Sequence, residues 1–113
     1  MEIDSVLNRL VERLKEADPY KIVLFGSHAK GTAVRGSDID LMVILDNYDI
    51  AKTYKERLNK RCYVRKLLRD INYRYAMDIL VYSRAEFQKR KSDGSYLIDE
   101  VEKTGRTLYE KYN

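Results

Sequence analysis

Seven residues constrain this chain most: Ile39-Asp40-Leu41-Met42-Val43-Ile44-Leu45. All are apolar except Asp40, and Ile39, Val43 and Ile44 are β-branched. Ser37-Asp38 and Asp46-Asn47 bound the run on either side. Such a segment reads as a rigid core strand. Two more strand-sized runs lie at 20–25, around Ile22 and Val23, and at 75–82, around Ile79-Leu80-Val81. Helical patterns separate them. Val6, Leu7, Leu10, Val11 and Leu14 recur at helical spacing over residues 4–17, with Asp4 or Ser5 as the cap and Asp18-Pro19 as the stop. Residues 50–72 carry a second helical pattern through Tyr54, Leu58, Cys62, Leu67, Leu68 and Ile71. Ser83 and Glu86 have the capping-box spacing. A turn follows at 91–94, then a last helix over 96–103 that stops near Gly105. Leu108 and Tyr109 are expected to pack back on the core. The pattern predicts an α/β class, a small mixed sheet of about three strands flanked by helices.

At 113 residues the chain has room for a single domain, taken as 1–113. It is apolar enough to fold and charged enough to dissolve. No apolar run approaches the length of a membrane span. Met1-Glu2-Ile3-Asp4 lacks the layout of a signal peptide. The lone Cys62 cannot form an internal disulfide and reads as a buried helix residue. These features suit a cytoplasmic protein with no membrane partner. The net charge of +4 is unevenly spread. Residues 55–91 hold twelve Lys or Arg against Glu56, Asp70, Asp78 and Glu86. A basic half favours a polyanionic ligand or an acidic partner surface, although most of these residues read as a solvated helix face. The ten tyrosines read mostly as core or interface residues.

Three features carry chemistry. Gly26-Ser27 follows a strand and opens a short helix, so its backbone N–H groups can seat a phosphate. By itself this is a common strand–helix turn. In Asp38-Ile39-Asp40 the two carboxylates share one face of a strand while Ile39 points to the other. Two such carboxylates repel unless a cation lies between them, and hard oxygen donors suit Mg²⁺. An isolated Asp-x-Asp can equally be a solvated strand end. Asp78 lies among apolar residues in a predicted core strand, where burying a lone carboxylate is costly without a partner. Taken singly it reads as a strand-start aspartate paired with backbone or with Arg74. Beside Asp38 and Asp40 it becomes a third metal-site carboxylate.

Together, residues 26–44 read GSHAKGTAVRGSDIDLMVI. This resembles the signature of the polymerase-β-like nucleotidyltransferase superfamily, in the form found in its minimal nucleotidyltransferase (MNT) branch. Asp78-Ile79-Leu80-Val81, Arg84-Ala85-Glu86-Phe87 and Gly105-Arg106-Thr107-Leu108-Tyr109 extend the resemblance along nearly the whole chain, the last of these loosely. The resemblance implies the fold of that superfamily and a set of roles. Gly26 and Ser27 would hold the triphosphate of ATP. Asp38, Asp40 and Asp78 would be the catalytic and metal-binding carboxylates for Mg²⁺, with Asp78 on the acceptor side. The branch often has Arg after Gly-Ser, where this chain has His28. The roles of His28, Lys30 and Arg35 stay open between phosphate contact and surface packing.

Members of this branch are often antitoxins paired with a HEPN ribonuclease toxin, and some transfer AMP from ATP to a toxin tyrosine. The resemblance therefore implies a protein-AMPylating nucleotidyltransferase of a toxin–antitoxin system. A domain this small has little surface for a small-substrate pocket, and a protein acceptor would supply the missing wall. Two alternatives are neutralisation of the toxin by contact alone, and nucleotidyl transfer to a small molecule or an RNA end. Nucleic acid is disfavoured as the direct substrate, because the aromatics of 55–91 do not form a stacking platform. Homo- or hetero-oligomerisation, and the choice of base, have no short motif to decide them.

Overall fold

The computed structural model describes residues 2–112. Helix α1 (Glu2–Leu14) buries Val6, Leu7, Leu10 and Leu14, the apolar stripe that its spacing predicts. Asp4 and Ser5 lie inside its first turns rather than at its cap. A 3₁₀ turn (Lys15–Ala17) follows, and Asp18 takes a left-handed conformation at φ 52°. Strand β1 (Pro19–Phe25) then begins on the proline that ended the helix. One short helical turn, α2 (Ser27–Lys30), and a loop lead to β2 (Ile39–Leu45).

The second long helix is shorter than its pattern suggested. Helix α3 (Tyr54–Leu67) starts at Thr53, whose hydroxyl accepts the Glu56 N–H at 3.1 Å. It breaks at Leu68, and a single turn, α4 (Arg69–Asn72), follows. The break lets Val64, Leu68 and Ile71 all reach the core. Tyr54 and Leu58 remain exposed, and so does Cys62, which corrects the expectation of a buried cysteine. Six of the ten tyrosines (Tyr48, Tyr54, Tyr63, Tyr73, Tyr96 and Tyr112) are also exposed and the other four are half-buried, so none is a fully buried core residue.

Strand β3 (Met77–Ser83) runs into α5 (Arg84–Ser92) through the capping box of Ser83 and Glu86. Helix α6 (Tyr96–Thr104) is capped by Ser95, which accepts the Ile98 N–H at 3.3 Å. The chain then forms a fourth strand, β4 (Arg106–Glu110), where only back-packing of Leu108 and Tyr109 was expected. Gly105 permits this tight entry, because a Cβ there would collide with the Val101 carbonyl and the Val23 side chain.

The sheet order is β3-β2-β1-β4. Strands β1/β2 and β1/β4 are antiparallel, and β2/β3 are parallel across the α3–α4 crossover. Helices cover both faces. On one, Ile22, Leu24, Leu41, Val43, Ile79 and Val81 meet α1, α3 and α4. On the other, Val23, Met42, Ile44, Leu80 and Tyr82 meet α5 and α6. Strand β2 is therefore buried on both sides, which explains its unbroken apolar run. Full burial of one such leucine stabilises the fold by about 1.5–3 kcal/mol. No described helix is long and apolar enough to cross a membrane.

Candidate active site

The centre of the site is the start of β2. Asp40 pairs in register with Phe25, at the end of β1, and with Asp78, near the start of β3. Asp38 lies two residues earlier, on the same side as Asp40. The topology thus brings Asp38, Asp40 and Asp78 to one end of the sheet. Ile39, between the two motif aspartates, is buried, as the alternation predicts.

Asp40 is half-buried, whereas Asp38 and Asp78 are exposed. The expectation that Asp78 lies buried among apolar neighbours is therefore corrected. It occupies the open end of β3, and burial begins one residue later at Ile79. Among the described residues, none of the three carboxylates is held in an ion pair or accepts a hydrogen bond, and Arg74 does not pair with Asp78. Burial, with the like charges of Asp78 and Asp38, pushes the Asp40 carboxyl above its ordinary range, and His28 opposes the shift weakly.

Gly26 joins β1 to α2 at φ 74°, ψ −155°, a region essentially reserved for glycine. A Cβ there would also collide with the Asp40 carboxylate. Gly26 is thus required both for the turn and for the close approach of Asp40 to the backbone. The Gly26 carbonyl accepts the N–H groups of Ala29 and Lys30 at 3.2 and 3.1 Å, which closes the single turn of α2. Ser27 follows, half-buried at the head of that turn.

His28 has a structural contact that its sequence context left open. Its Nε2 lies 3.2 Å from the Ser37 carbonyl, tying α2 to the end of the 31–38 loop. The Ser37 hydroxyl in turn accepts the Val34 N–H at 2.9 Å. Loop and helix together hold the residue that precedes Asp38. Lys30 points elsewhere, to an ion pair with Glu100 of α6 at 3.1 Å. Arg35 is exposed on the loop.

The donor set can be tested against a cation by its chemistry. Three carboxylates with hard oxygen donors and, among the described residues, no ion-pair partner fit Mg²⁺. Among the described residues they do not close into a ready-made metal cage. Mg²⁺ is commonly held by one or two carboxylates plus water and substrate phosphates, so its protein ligands need not close into a cage by themselves.

Comparisons with known proteins bear on most of the chain. A family model described as a nucleotidyltransferase domain matches residues 4–93. A Methanocaldococcus jannaschii protein whose name assigns it as a protein adenylyltransferase is 34% identical over 80 residues, 68% of this chain. The match spans about half of that relative, 51% of its length. A crystal structure of a toxin–antitoxin with AMP-PNP superposes with a TM-score of 0.59 at 21% identity, covering 94% of this chain and 74% of that one. A Sulfolobus solfataricus crystal structure assigned as a nucleotidyltransferase gives a TM-score of 0.59 at 17% identity, over 93% of this chain and 78% of that one. At these identities the two structures establish a shared fold.

Proposed function

Because the chain belongs to the nucleotidyltransferase domain family, we propose that it is a Mg²⁺-dependent protein adenylyltransferase acting as an antitoxin. It transfers AMP from ATP to a tyrosine of a partner HEPN ribonuclease toxin and thereby silences it. One observation carries this reading. A central strand buried on both faces begins at three carboxylates that, among the described residues, have no ion-pair partner, set against a glycine that admits close approach. A surface built only for contact has no need of unneutralised like charges, which raise the energy of the free protein. The assigned adenylyltransferase relative and the toxin–antitoxin neighbour point the same way.

In this reading Gly26 and Ser27 seat the triphosphate through backbone N–H groups and the Ser27 hydroxyl. Asp38, Asp40 and Asp78 would hold Mg²⁺, which when bound neutralises charge on the phosphates and on the attacking and leaving oxygens. The tyrosine oxygen attacks the α-phosphorus, and the bond from that phosphorus to the bridging oxygen of the β-phosphate breaks. Pyrophosphate leaves, and Asp78, on the acceptor side, takes the phenolic proton. Such transfer depends on positioning and charge neutralisation more than on covalent help. Strand β2 supplies the positioning, because it is packed on both faces. His28 acts through Ser37 to hold the approach to Asp38. The single domain presents this site as an open shelf, which a protein acceptor would close.

The test mixes the purified protein with its genomic neighbour, ATP and Mg²⁺, and weighs the neighbour. A gain of one AMP, lost in an Asp38→Asn/Asp40→Asn variant together with neutralisation, is the expected result. Neutralisation by that variant at wild-type strength would establish contact as the mechanism.

A further inference from the structure

The basic stretch 55–91 has no part in the site above, yet the fold gathers much of it around one groove. The groove encloses about 500 Å³ along the outer edge of β3. Its floor is Leu80, Val81 and Tyr82, and the loop residues Ile50 and Ala51 close one end. Arg57, Lys60 and Arg61 of α3 stand on one side, with Lys89 and Arg90 of α5 on the other. Val81 faces the α3 side of the sheet and Leu80 and Tyr82 face the α5 side, so the strand edge itself runs between the two helices.

Two properties of the groove are unspent. The first is hydrogen bonding. Among the described residues, strand β3 pairs only with β2, and no strand is bonded to its outer edge. An open edge is a template for an added strand. The second is charge. Five cations meet two carboxylates, Glu86 and Asp93. Glu86 is committed to the capping box, to the Ala51 N–H and to Lys60 at 2.9 Å, and Asp93 pairs with Lys89 at 3.2 Å. Arg90 lies over the Tyr82 ring, 5.1 Å from its centroid. Arg57 and Arg61 have no carboxylate partner among the described residues.

We propose that this groove docks a short acidic segment of a partner protein in extended form, as a strand added to β3. Successive side chains of an added strand point to opposite faces. One set would meet Arg57 and Arg61 of α3, and the other Arg90 of α5. Cations on both sides call for consecutive acidic residues, while the apolar floor and backbone edge call for a peptide. Single-stranded RNA fits less well, because the one aromatic ring of the groove, Tyr82, is already covered by Arg90. The proposal rests on the reading that the chain works on a protein partner, and it places docking away from the aspartate shelf.

The test is fluorescence anisotropy on the full chain with a labelled heptapeptide, Glu-Val-Asp-Glu-Val-Asp-Glu. Controls are its Gln/Asn counterpart and a labelled oligouridylate. The expected result is saturable binding of the acidic peptide that weakens about tenfold with Arg57→Glu/Arg61→Glu and again with Arg90→Glu, each folded by circular dichroism. The Gln/Asn peptide should bind at least about tenfold more weakly. Unchanged binding to both variants, no saturable binding, or displacement of the peptide by a tighter-binding oligouridylate would overturn the proposal. The probe carries neither nucleotide nor tyrosine, so its failure leaves the transfer assay untouched, and failure of transfer leaves peptide binding readable.

Discussion

The two ends of β2 carry the same side chain in opposite surroundings. Asp40, at its start, faces Asp38 and Asp78, and its carboxyl is pushed up by burial and like charge. Asp46, just past its end, is clasped by Lys111 at 2.8 Å, Tyr112 at 2.9 Å and Arg84 at 3.1 Å. Hydrogen bonds from Lys111 and Tyr112 lower its carboxyl to about 2. Arg84 is itself stacked against Tyr20 at 4.0 Å and Tyr48 at 5.0 Å. At one end the protein provides its own cations and the aspartate ties the C-terminal segment to the sheet. At the other, among the described residues, no cation pairs with the aspartate, and in the proposed function it is left to a cation from outside. Identical chemistry thus marks a fastening in one place and a candidate site in the other, and the neighbours alone make the distinction.

Substitution at the two ends should break this comparison most sharply. Asp40→Asn is expected to reduce AMP transfer by about three orders of magnitude, the scale of several kcal/mol of charge stabilisation. The same change should leave the melting temperature equal or higher, because it removes like-charge repulsion. A fall in both would mean that Asp40 is a structural residue. Gly26→Ala comes next. It forces a side chain into a glycine-only conformation and against Asp40, at a cost of about 1–3 kcal/mol. Chemical denaturation should show that loss, and titration with Mg²⁺ and ATP should show weakened binding.

A smaller effect sharpens the contrast directly. Mg²⁺ at ten times its Kd should stabilise the folded protein by ~1.4 kcal/mol through linkage. Asp38→Asn/Asp40→Asn should abolish that gain and Asp46→Asn should not, as read by thermal melts with and without the ion. The smallest effect is in acid. A carboxyl lowered in the folded state contributes stability that is present above its unfolded value, near 3.8, and lost as pH falls through about 2. Asp40 works with the opposite sign, since its raised carboxyl favours the folded state while protonated. Between pH 4 and 2 the melting temperature of the wild type should therefore drop. Asp46→Asn should flatten part of that drop, with Asp70, held near 2 by Arg13, keeping the rest. An unchanged acid profile would show that the clasp is too solvated to matter.

Some of this is legible in the order of the residues. The three apolar runs became strands, and β2 has the predicted bounds, because continuous burial leaves a continuous apolar record. The Asp-x-Asp pair and the Gly-Ser turn were legible because each is complete within a few neighbouring residues. Other features left little local trace. Strand β4 is polar at Arg106 and Thr107 and reads as a tail, yet pairing with β1 makes it a strand. Cys62 has the right spacing for a buried face, but α3 buries only Val64 and shifts the remaining contacts past the break at Leu68. His28 showed no role until Ser37 lay beside it.

The amino-acid sequence by itself determined the α/β class, the central strand, the Ser83–Glu86 capping box and the candidate carboxylates. Each depends on periodicity or on residues a few positions apart, and short-range geometry is nearly the same in every chain. Only the tertiary structure decided which aspartates stay bare. Asp46 finds Lys111 from 65 positions away and Arg84 from 38, whereas Asp40 finds Asp78 across a parallel register. Electrostatic energy depends on distance in space and on the surrounding medium, and neither is written in the order of the residues.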